Sequence, residues 1–266
     1  MSSFPIFVAD AFTDEAFCGN PAGVALLDEF PGDELLQKIS AEINLSETAF
    51  LVKKNAGYDL RWFTPTTEVD LCGHATLASA HLLWEIGEVY KNSTIRFDTR
   101  SGPLFARLTK QGVNLDFPVT EVTEAQIPGK LADGLKIHDQ PAVMKAGADY
   151  LVELPTQDDV LAVAPDFKTL AKVEMRGVIV TAKSNETDID FVSRFFAPSA
   201  GINEDPVTGS AHCALASYWG EKLGKTEMTA RQVSKRGGTL QISLDGDRVT
   251  LTGKAITTWR GEFLVR

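Results

Sequence analysis

Cysteine is scarce in this chain. Cys18, Cys72 and Cys213 are the three among 266 residues, too few and too scattered for a disulfide framework. Each is expected to be a reduced thiol packed as a small hydrophobe. Long apolar runs are missing too: none approaches the roughly 20 residues a membrane helix needs. The opening Met1-Ser-Ser-Phe-Pro has neither the basic start nor the apolar stretch of a signal peptide, so a cytoplasmic location is expected. Positive charge is in deficit, with 26 Lys and Arg against 36 Asp and Glu and a net charge of −10. That balance disfavours nucleic acid or an anionic membrane as partner. No glycine-rich phosphate loop follows a strand, and no His-Cys-carboxylate cluster has metal-ligand spacing along the sequence. Neither a nucleotide cofactor nor a metal is therefore expected.

What the chain does contain is ordinary core material, 44% hydrophobic, in a length that suits one large domain or two of common size. It is also written twice. Arg61-Trp-Phe-Thr-Pro65 matches Arg194-Phe-Phe-Ala-Pro198 at an offset of 133. Further on the offset becomes 136 and holds: Gly73 falls on Gly209, Ala78 on Ala214, Glu85 on Glu221, Gly102 on Gly238, Leu108 on Leu244 and Leu115 on Leu251. Single matches at small or apolar residues are weak, but a constant register over such a length predicts two similar halves.

Each half reads alike. A strand carrying Arg-x-Phe-x-Pro leads into a helix that begins just after Gly73 or Gly209. The helices His74–Trp84 and Ser210–Trp219 carry no formal charge until Glu85 and Glu221, which marks them as buried on every side. Alternating strands follow: Leu240–Leu244 and Val249–Leu251 form a hairpin with a turn at Asp245-Gly246, and Leu104–Leu108 with Val113–Phe117 are its counterpart. A surface helix, Asp33 to Ile43, carries Leu35, Leu36, Ile39 and Ile43 at helical spacing. The expectation is an α/β (α+β) protein of two pseudo-symmetric halves, each a mostly antiparallel sheet wrapped around a central buried helix. Residues 1–118 form the first half, completed by a final strand in 256–266. Residues 119–255 form the second, after a polar connector over Pro118–Pro128, with the active site in the cleft between halves.

The two helix starts are one candidate site. A helix N-terminus offers free N–H groups and partial positive charge, so two of them make a cradle for a small anion, with Gly73 and His74 on one side and Gly209 and Ser210 on the other. The competing reading is that the glycines only let the helices pack closely.

Glu47 is a second candidate. In a strand over residues 44–52 it shares a face with Ala49 and Leu51, and a carboxyl among apolar neighbours is tuned toward proton transfer near neutral pH. The competing reading is an acid at a sheet edge facing water. Asp205 either caps the second helix or aims a carboxylate at the cleft. His74 stands at the start of its helix, where a ring nitrogen can meet a ligand. His81 and His212 lie inside helices as core residues, and His138 falls in a weakly patterned, exposed region. Counting back from Arg194 as Glu47 lies from Arg61 reaches Val180, in a stretch without carboxylate, cysteine or histidine. One acid/base on one side suits moving a proton between positions on the same substrate face.

At these residues the chain strongly resembles the phenazine biosynthesis PhzF-like family of isomerases. The matching segments are Asp10-Ala-Phe-Thr with Gly19-Asn-Pro-Ala-Gly23, Asn44-Leu-Ser-Glu47-Thr, Phe63-Thr-Pro-x-x-Glu68-Val-Asp-Leu-Cys-Gly-His-Ala-Thr76, and Glu204-Asp-Pro-Val-Thr-Gly-Ser-Ala211. The resemblance implies a diaminopimelate-epimerase-like fold, no cofactor, a small anionic metabolite as ligand and a homodimer. It implies Glu47 as acid/base, with His74, Asp205 and Ser210 lining the site; Asn20, inside a matching segment, joins them as a substrate contact. Related epimerases use two cysteines, one at each helix start. Here Cys72 stands before the first helix, but no thiol stands before the second. A two-thiol racemase and a non-catalytic metabolite- or partner-binding protein of this fold are the alternatives.

Overall fold

The structure, a computed structural model, describes residues 2–137 and 141–265. His138 lies outside the described residues. The chain divides into two compact units, one made of residues 1–116 with 250–266 and the other of residues 117–249.

The first unit runs β1 (Ser2–Ala11), β2 (Asn20–Leu27), α1 (Asp33–Ile43), β3 (Glu47–Lys54), β4 (Gly57–Phe63), β5 (Glu68–Val69), α2 (Gly73–Glu85), β6 (Ile95–Thr99), β7 (Gly102–Leu108) and β8 (Val113–Pro118). The second runs β9 (Val122–Glu124), α3 (Gly129–Leu135), β10 (Ala142–Ala146), β11 (Asp149–Glu153), α4 (Gln157–Ala162), α5 (Phe167–Leu170), β12 (Val178–Lys183), β13 (Phe191–Ala197), β14 (Ile202–Asp205), α6 (Gly209–Leu223), β15 (Glu227–Gln232) and β16 (Gly238–Asp245); the chain returns to the first unit within β17 (Arg248–Gly253). Last comes β18 (Ala255–Val265), which pairs antiparallel with β1 in the first unit.

Strand pairing follows the same plan in both units. β1–β2, β3–β4, β4–β5 and β6–β7 are antiparallel, while β2–β3 and β4–β6 are parallel. In the second unit β10–β11, β12–β13, β13–β14 and β15–β16 are antiparallel, while β11–β12 and β13–β15 are parallel. The parallel pairs arise where the chain crosses over through a helix, because strands joined that way return in the same direction. The expected polar connector is more structured than its composition suggests: it contains β9, which pairs with β10.

The central helices are as enclosed as their composition requires. In α2 every residue from His74 to Trp84 except His81 is buried, and the helix packs on β1, β2, β3 and β18. His81, expected in the core, is instead half-exposed at the outer side, 3.8 Å from Glu85. α6 packs on β9, β15 and β16. Its Trp219 stacks on Phe191 and donates Nε1–H to Thr181 Oγ1 at 3.0 Å.

The opposite sheet faces are covered by the shorter helices. In the first unit Leu36 and Ile39 of α1 pack with Ile6, Ala25, Phe50 and Phe63. In the second Leu131, Leu135, Val160 and Leu170 pack with Val152, Val178, Val180 and Phe196. With both faces covered, β3 and β12 read as continuous apolar runs instead of alternating ones.

One arginine in each unit ties the outer helix to the loop that feeds the inner one. Arg61 holds Glu68 of β5 through two hydrogen bonds of 2.7 Å and reaches Asp33 at the start of α1 at 2.9 Å. Arg194 holds Glu204 of β14 at 2.7 and 3.0 Å and donates to the carbonyls of Val160 and Val163 at the end of α4. Each guanidinium also lies over a phenylalanine two residues on, Phe63 or Phe196. Such bidentate, largely desolvated pairs are costly to break from one side, because the remaining carboxylate is left uncompensated. Arg194→Met should therefore lower stability by about 2–4 kcal/mol in denaturant unfolding. Adding Glu204→Leu should recover part of that loss; a single variant as stable as wild type would show the pair to be dispensable.

Candidate active site

The first cluster gathers at the start of α2. Its N-cap is Cys72, in extended backbone, and the Cys72 side chain makes no capping hydrogen bond. The first helical residue is Gly73 itself, which places His74 second. Two features of the fold bring the partners in. Gly19, at φ +65°, turns the chain into β2 at a point where a β-carbon would fall 2.2 Å from the Ala11 carbonyl oxygen, a placement open only to glycine. The turn sets Asn20, fully buried, at the head of β2. Then β3 lies between β2 and β4, so Glu47 at its start is not on a sheet edge. Phe50 faces α1, so the two-residue period of the strand delivers Glu47 to the α2 side.

There Glu47 Oε2 stands 3.3 Å from His74 Nε2, with the two side chains 13% and 6% exposed. The contact is close but out of line for a hydrogen bond. His74 Nδ1 is 3.3 Å from Asn20 Nδ2 and 3.5 Å from Cys72 Sγ. An amide nitrogen only donates, so Nδ1 accepts and the neutral ring carries its proton on Nε2, facing Glu47. Burial holds the imidazole neutral by pushing its pKa down to about 3. The expectation of a carboxyl among apolar neighbours is thus corrected. Glu47 is largely shielded from water, but what faces it is a neutral imidazole. The Cys72 thiol is reduced and buried, as expected, and it contacts that imidazole. Spacing along the sequence gave no metal-ligand cluster, yet the fold gathers Glu47, Cys72 and His74 with one ligand atom from each within 4.8 Å of the others.

The second cluster gathers at the start of α6. Its N-cap is Thr208, again without a side-chain hydrogen bond to the first turn. Asp205 does not cap the helix. It ends β14 and accepts a short hydrogen bond from the Thr208 hydroxyl. Gln232, fully buried, holds this loop: its Oε1 accepts from Thr208 N at 2.9 Å, and its Nε2 donates to Asp205 O at 2.7 Å and to Thr208 Oγ1 at 3.2 Å. Arg176, fixed by buried Asp149, has its pKa raised chiefly by that hydrogen bond, with Asp205 adding to the field. Gly209 is buried and Ser210 half-buried at the first two helical positions. Cys213 sits a turn inside, 3.6 Å from the Gly209 carbonyl, and burial pushes its thiol up to about 12. It is no acid/base at neutral pH.

Strand register identifies the counterpart of Glu47 more reliably than counting along the chain. Phe50 pairs with Arg61 and Val180 with Arg194, so the residue matching Glu47 is Gly177, not Val180. A β-carbon at Gly177 would fall 2.4 Å from the ring of Phe195. A side chain at this position of the second unit would have to displace the Phe195 ring.

Thr208 and Gln232 escaped the sequence reading. The offset of 136 does carry Cys72 onto Thr208 and His74 onto Ser210, a signal sufficient to pair the two caps. Nothing local points to Gln232, which lies 24 residues from Thr208 in sequence.

Comparison with known proteins agrees with this architecture. The fold is that of the epimerase-like proteins: a hydroxyproline epimerase from Agrobacterium vitis superposes over 98% of this chain and 92% of its own with a TM-score of 0.62, at 13% identity. The profile of the family described as phenazine biosynthesis-like protein matches residues 9–261, and the chain belongs to that family. It is 50% identical to an uncharacterized isomerase of Halalkalibacterium halodurans over the full length of both. A PhzF-family crystal structure from Enterococcus faecalis aligns over 99% of this chain and 100% of its own, with a TM-score of 0.92 and 41% identity. Among the described residues, no helix is long and apolar enough to cross a membrane.

The buried histidine of the second cluster gives a pH test. His212 Nδ1 lies 2.8 Å from the Thr208 carbonyl, so Nδ1 carries the proton, and burial lowers the pKa to about 4. The unfolded chain binds this proton near pH 6.5 and the folded chain near 4. The group therefore costs no stability above pH 6.5 and destabilises progressively as pH falls from 6.5 toward 4. The slope is about 1.4 kcal/mol per pH unit once well below 6.5. The His212 ring signals in NMR should titrate with a midpoint near 4; a midpoint at the ordinary value would mean that the ring is hydrated.

Proposed function

We propose that the protein is an isomerase that moves a proton within a small unsaturated or cyclic carboxylate, with Glu47 as the acid/base and without a cofactor. The observation that carries this reading is the placement of Glu47 Oε2 at 3.3 Å from the buried, neutral His74 at the start of α2, with only a glycine at the matching position of the second unit. The isomerase names of relatives such as the Halalkalibacterium halodurans protein point the same way.

In this reading backbone N–H groups at the helix starts hold the substrate carboxylate, with Gly73 and His74 of α2 and Gly209 and Ser210 of α6 as the donors. The ionised Glu47 removes a proton from a carbon next to the substrate's unsaturation. The electron pair left behind enters the π system, and protonated Glu47 returns the same proton at the far carbon. Both carbons present one face, so one carboxyl serves both steps. His74 and Asn20 orient Glu47 and the polar groups of the substrate; Asp205, fixed through Thr208 and Gln232, does the same from the second unit. A homodimer in the cytoplasm is the setting we propose.

A two-thiol racemase needs a thiol at both caps. The second cap is Thr208, whose hydroxyl is committed to Asp205, which weighs against that chemistry.

General acid–base catalysis contributes roughly 10²–10⁴ in rate. Glu47→Gln is therefore expected to lower turnover by about that factor while leaving the thermal transition and ligand binding close to wild type. The assay is NMR in D₂O with a panel of unsaturated and amino carboxylic acids, reading deuterium entering or migrating in one compound. Exchange surviving Glu47→Gln but lost in Cys72→Ser would replace the carboxylate mechanism with a thiol one. Binding without exchange in any compound would make the protein a metabolite binder.

A further inference from the structure

We propose that Glu47, Cys72 and His74 form a binding site for a thiophilic divalent cation of the zinc type. The three side chains come from two places in the first unit, the head of β3 and the N-cap turn of α2, and bring one carboxylate oxygen, one sulfur and one imidazole nitrogen within 4.8 Å of one another. Cys72 and His74 are buried and Glu47 nearly so. Mixed thiolate, imidazole and carboxylate ligation suits zinc and its neighbours in the first transition row, and does not suit magnesium or calcium, which take oxygen.

The distances are close to what such an ion requires. Zinc bonds of about 2.3 Å to sulfur and about 2.0–2.1 Å to nitrogen and oxygen place tetrahedral ligand atoms about 3.3–3.6 Å apart. His74 Nε2 and Glu47 Oε2 already stand at 3.3 Å, and Cys72 Sγ is 3.5 Å from the same ring at Nδ1. Ligation through Nε2 requires the Cys72 sulfur to swing toward it from the Nδ1 side. His74 supplies an independent sign of a ligand position: its ring is more than nine-tenths buried and Nε2 faces Glu47 without an aligned partner.

Binding is balanced by two proton movements. The Cys72 thiol releases its proton to solvent as the sulfur–metal bond forms. The imidazole moves its proton from Nε2 to Nδ1, freeing the Nε2 lone pair for the ion. Asn20 can follow by turning its amide, so that Oδ1 accepts from Nδ1–H where Nδ2 donated before. A ligating histidine commonly has its other nitrogen held by such a partner. Three protein ligands leave a fourth position open to water. An ion there would hold the Glu47 oxygen needed for proton transfer, so the site is inhibitory if the isomerase reading above holds. The binding itself does not depend on that reading.

Cobalt(II) is the probe, because its thiolate complexes absorb by sulfur-to-metal charge transfer and zinc displaces it. Titrated into the full chain, cobalt is expected to give this absorption at one equivalent, and zinc to remove it. Cys18→Ser should keep the signal, since Cys18 lies outside the trio, and Cys72→Ser should abolish it. Even outer partners of a metal site alter affinity about 10–100-fold, so loss of the Cys72 sulfur should weaken zinc by more than about a hundredfold. His74→Asn is the second variant, checked like the first by its thermal transition, and should leave at most weak cobalt absorption. No charge-transfer band in wild type, or a band that survives Cys72→Ser or disappears in Cys18→Ser, would overturn the proposal. Inhibition is read separately: zinc binding without loss of exchange activity would reject the role of Glu47 and leave the metal site standing.

Discussion

A helix without a polar face has to be enclosed on every side, and the organisation of both units answers that constraint. α2 and α6 carry alanine, serine and apolar residues all round, so strands must surround them closely, and the small side chains permit it. Enclosure along the length leaves the helix ends as the places where polar groups can gather. At the N-terminal end the first-turn N–H groups lack intrahelical acceptors, and neither Cys72 nor Thr208 supplies one from its side chain. The same packing that buries the helix therefore brings first-turn N–H donors and partial positive charge to a partly dry spot.

The elements legible in the sequence were those with local signals. α1 occupies the span its apolar spacing marked, and the Asp245-Gly246 turn falls between β16 and β17, with Gly246 at φ +60°. The duplication was legible because its register persists past both helices, and it reappears as one pairing plan used twice. β9 was not legible: three residues in a polar connector become a strand only because β10 offers them an open edge. The parallel pairings β4–β6 and β13–β15 were hidden for a related reason, since they join segments separated by a whole helix. Period and propensity see neighbours along the chain, whereas these contacts are fixed by what each helix crossover returns to.

The site shows the same division. Glu47, His74 and Asp205 carried recognisable motifs, but the surroundings that decide their behaviour are non-local. Glu47 was read as facing apolar neighbours on its own strand, and its actual neighbour is His74, 27 residues on. Asp205 stands where the sequence offers a helix cap, but the cap is Thr208, whose hydroxyl donates to it. Counting from Arg194 found Val180 because counting assumes equal spacing in both halves. Hydrogen-bond register makes no such assumption and leads to Gly177.

That last position sharpens what the duplication means. Equivalent arginines hold equivalent glutamates in both units, so the supporting framework was kept alike. The helix starts were not: Cys72 corresponds to Thr208, His74 to Ser210, and Glu47 to a glycine backed by the Phe195 ring. A catalyst that attacks both faces of one carbon needs matched groups on both sides, and this chain does not supply them. A catalyst that lifts a proton and sets it down on the same face needs one base and groups that hold the substrate still. Asp205, pinned by Thr208 through its side chain and by Gln232 through its carbonyl, is built to stay where it is, as an orienting group must be. The asymmetry of the ends on a symmetric support thus argues for proton transfer from one side more strongly than any single residue does, because fold alone is common to both chemistries.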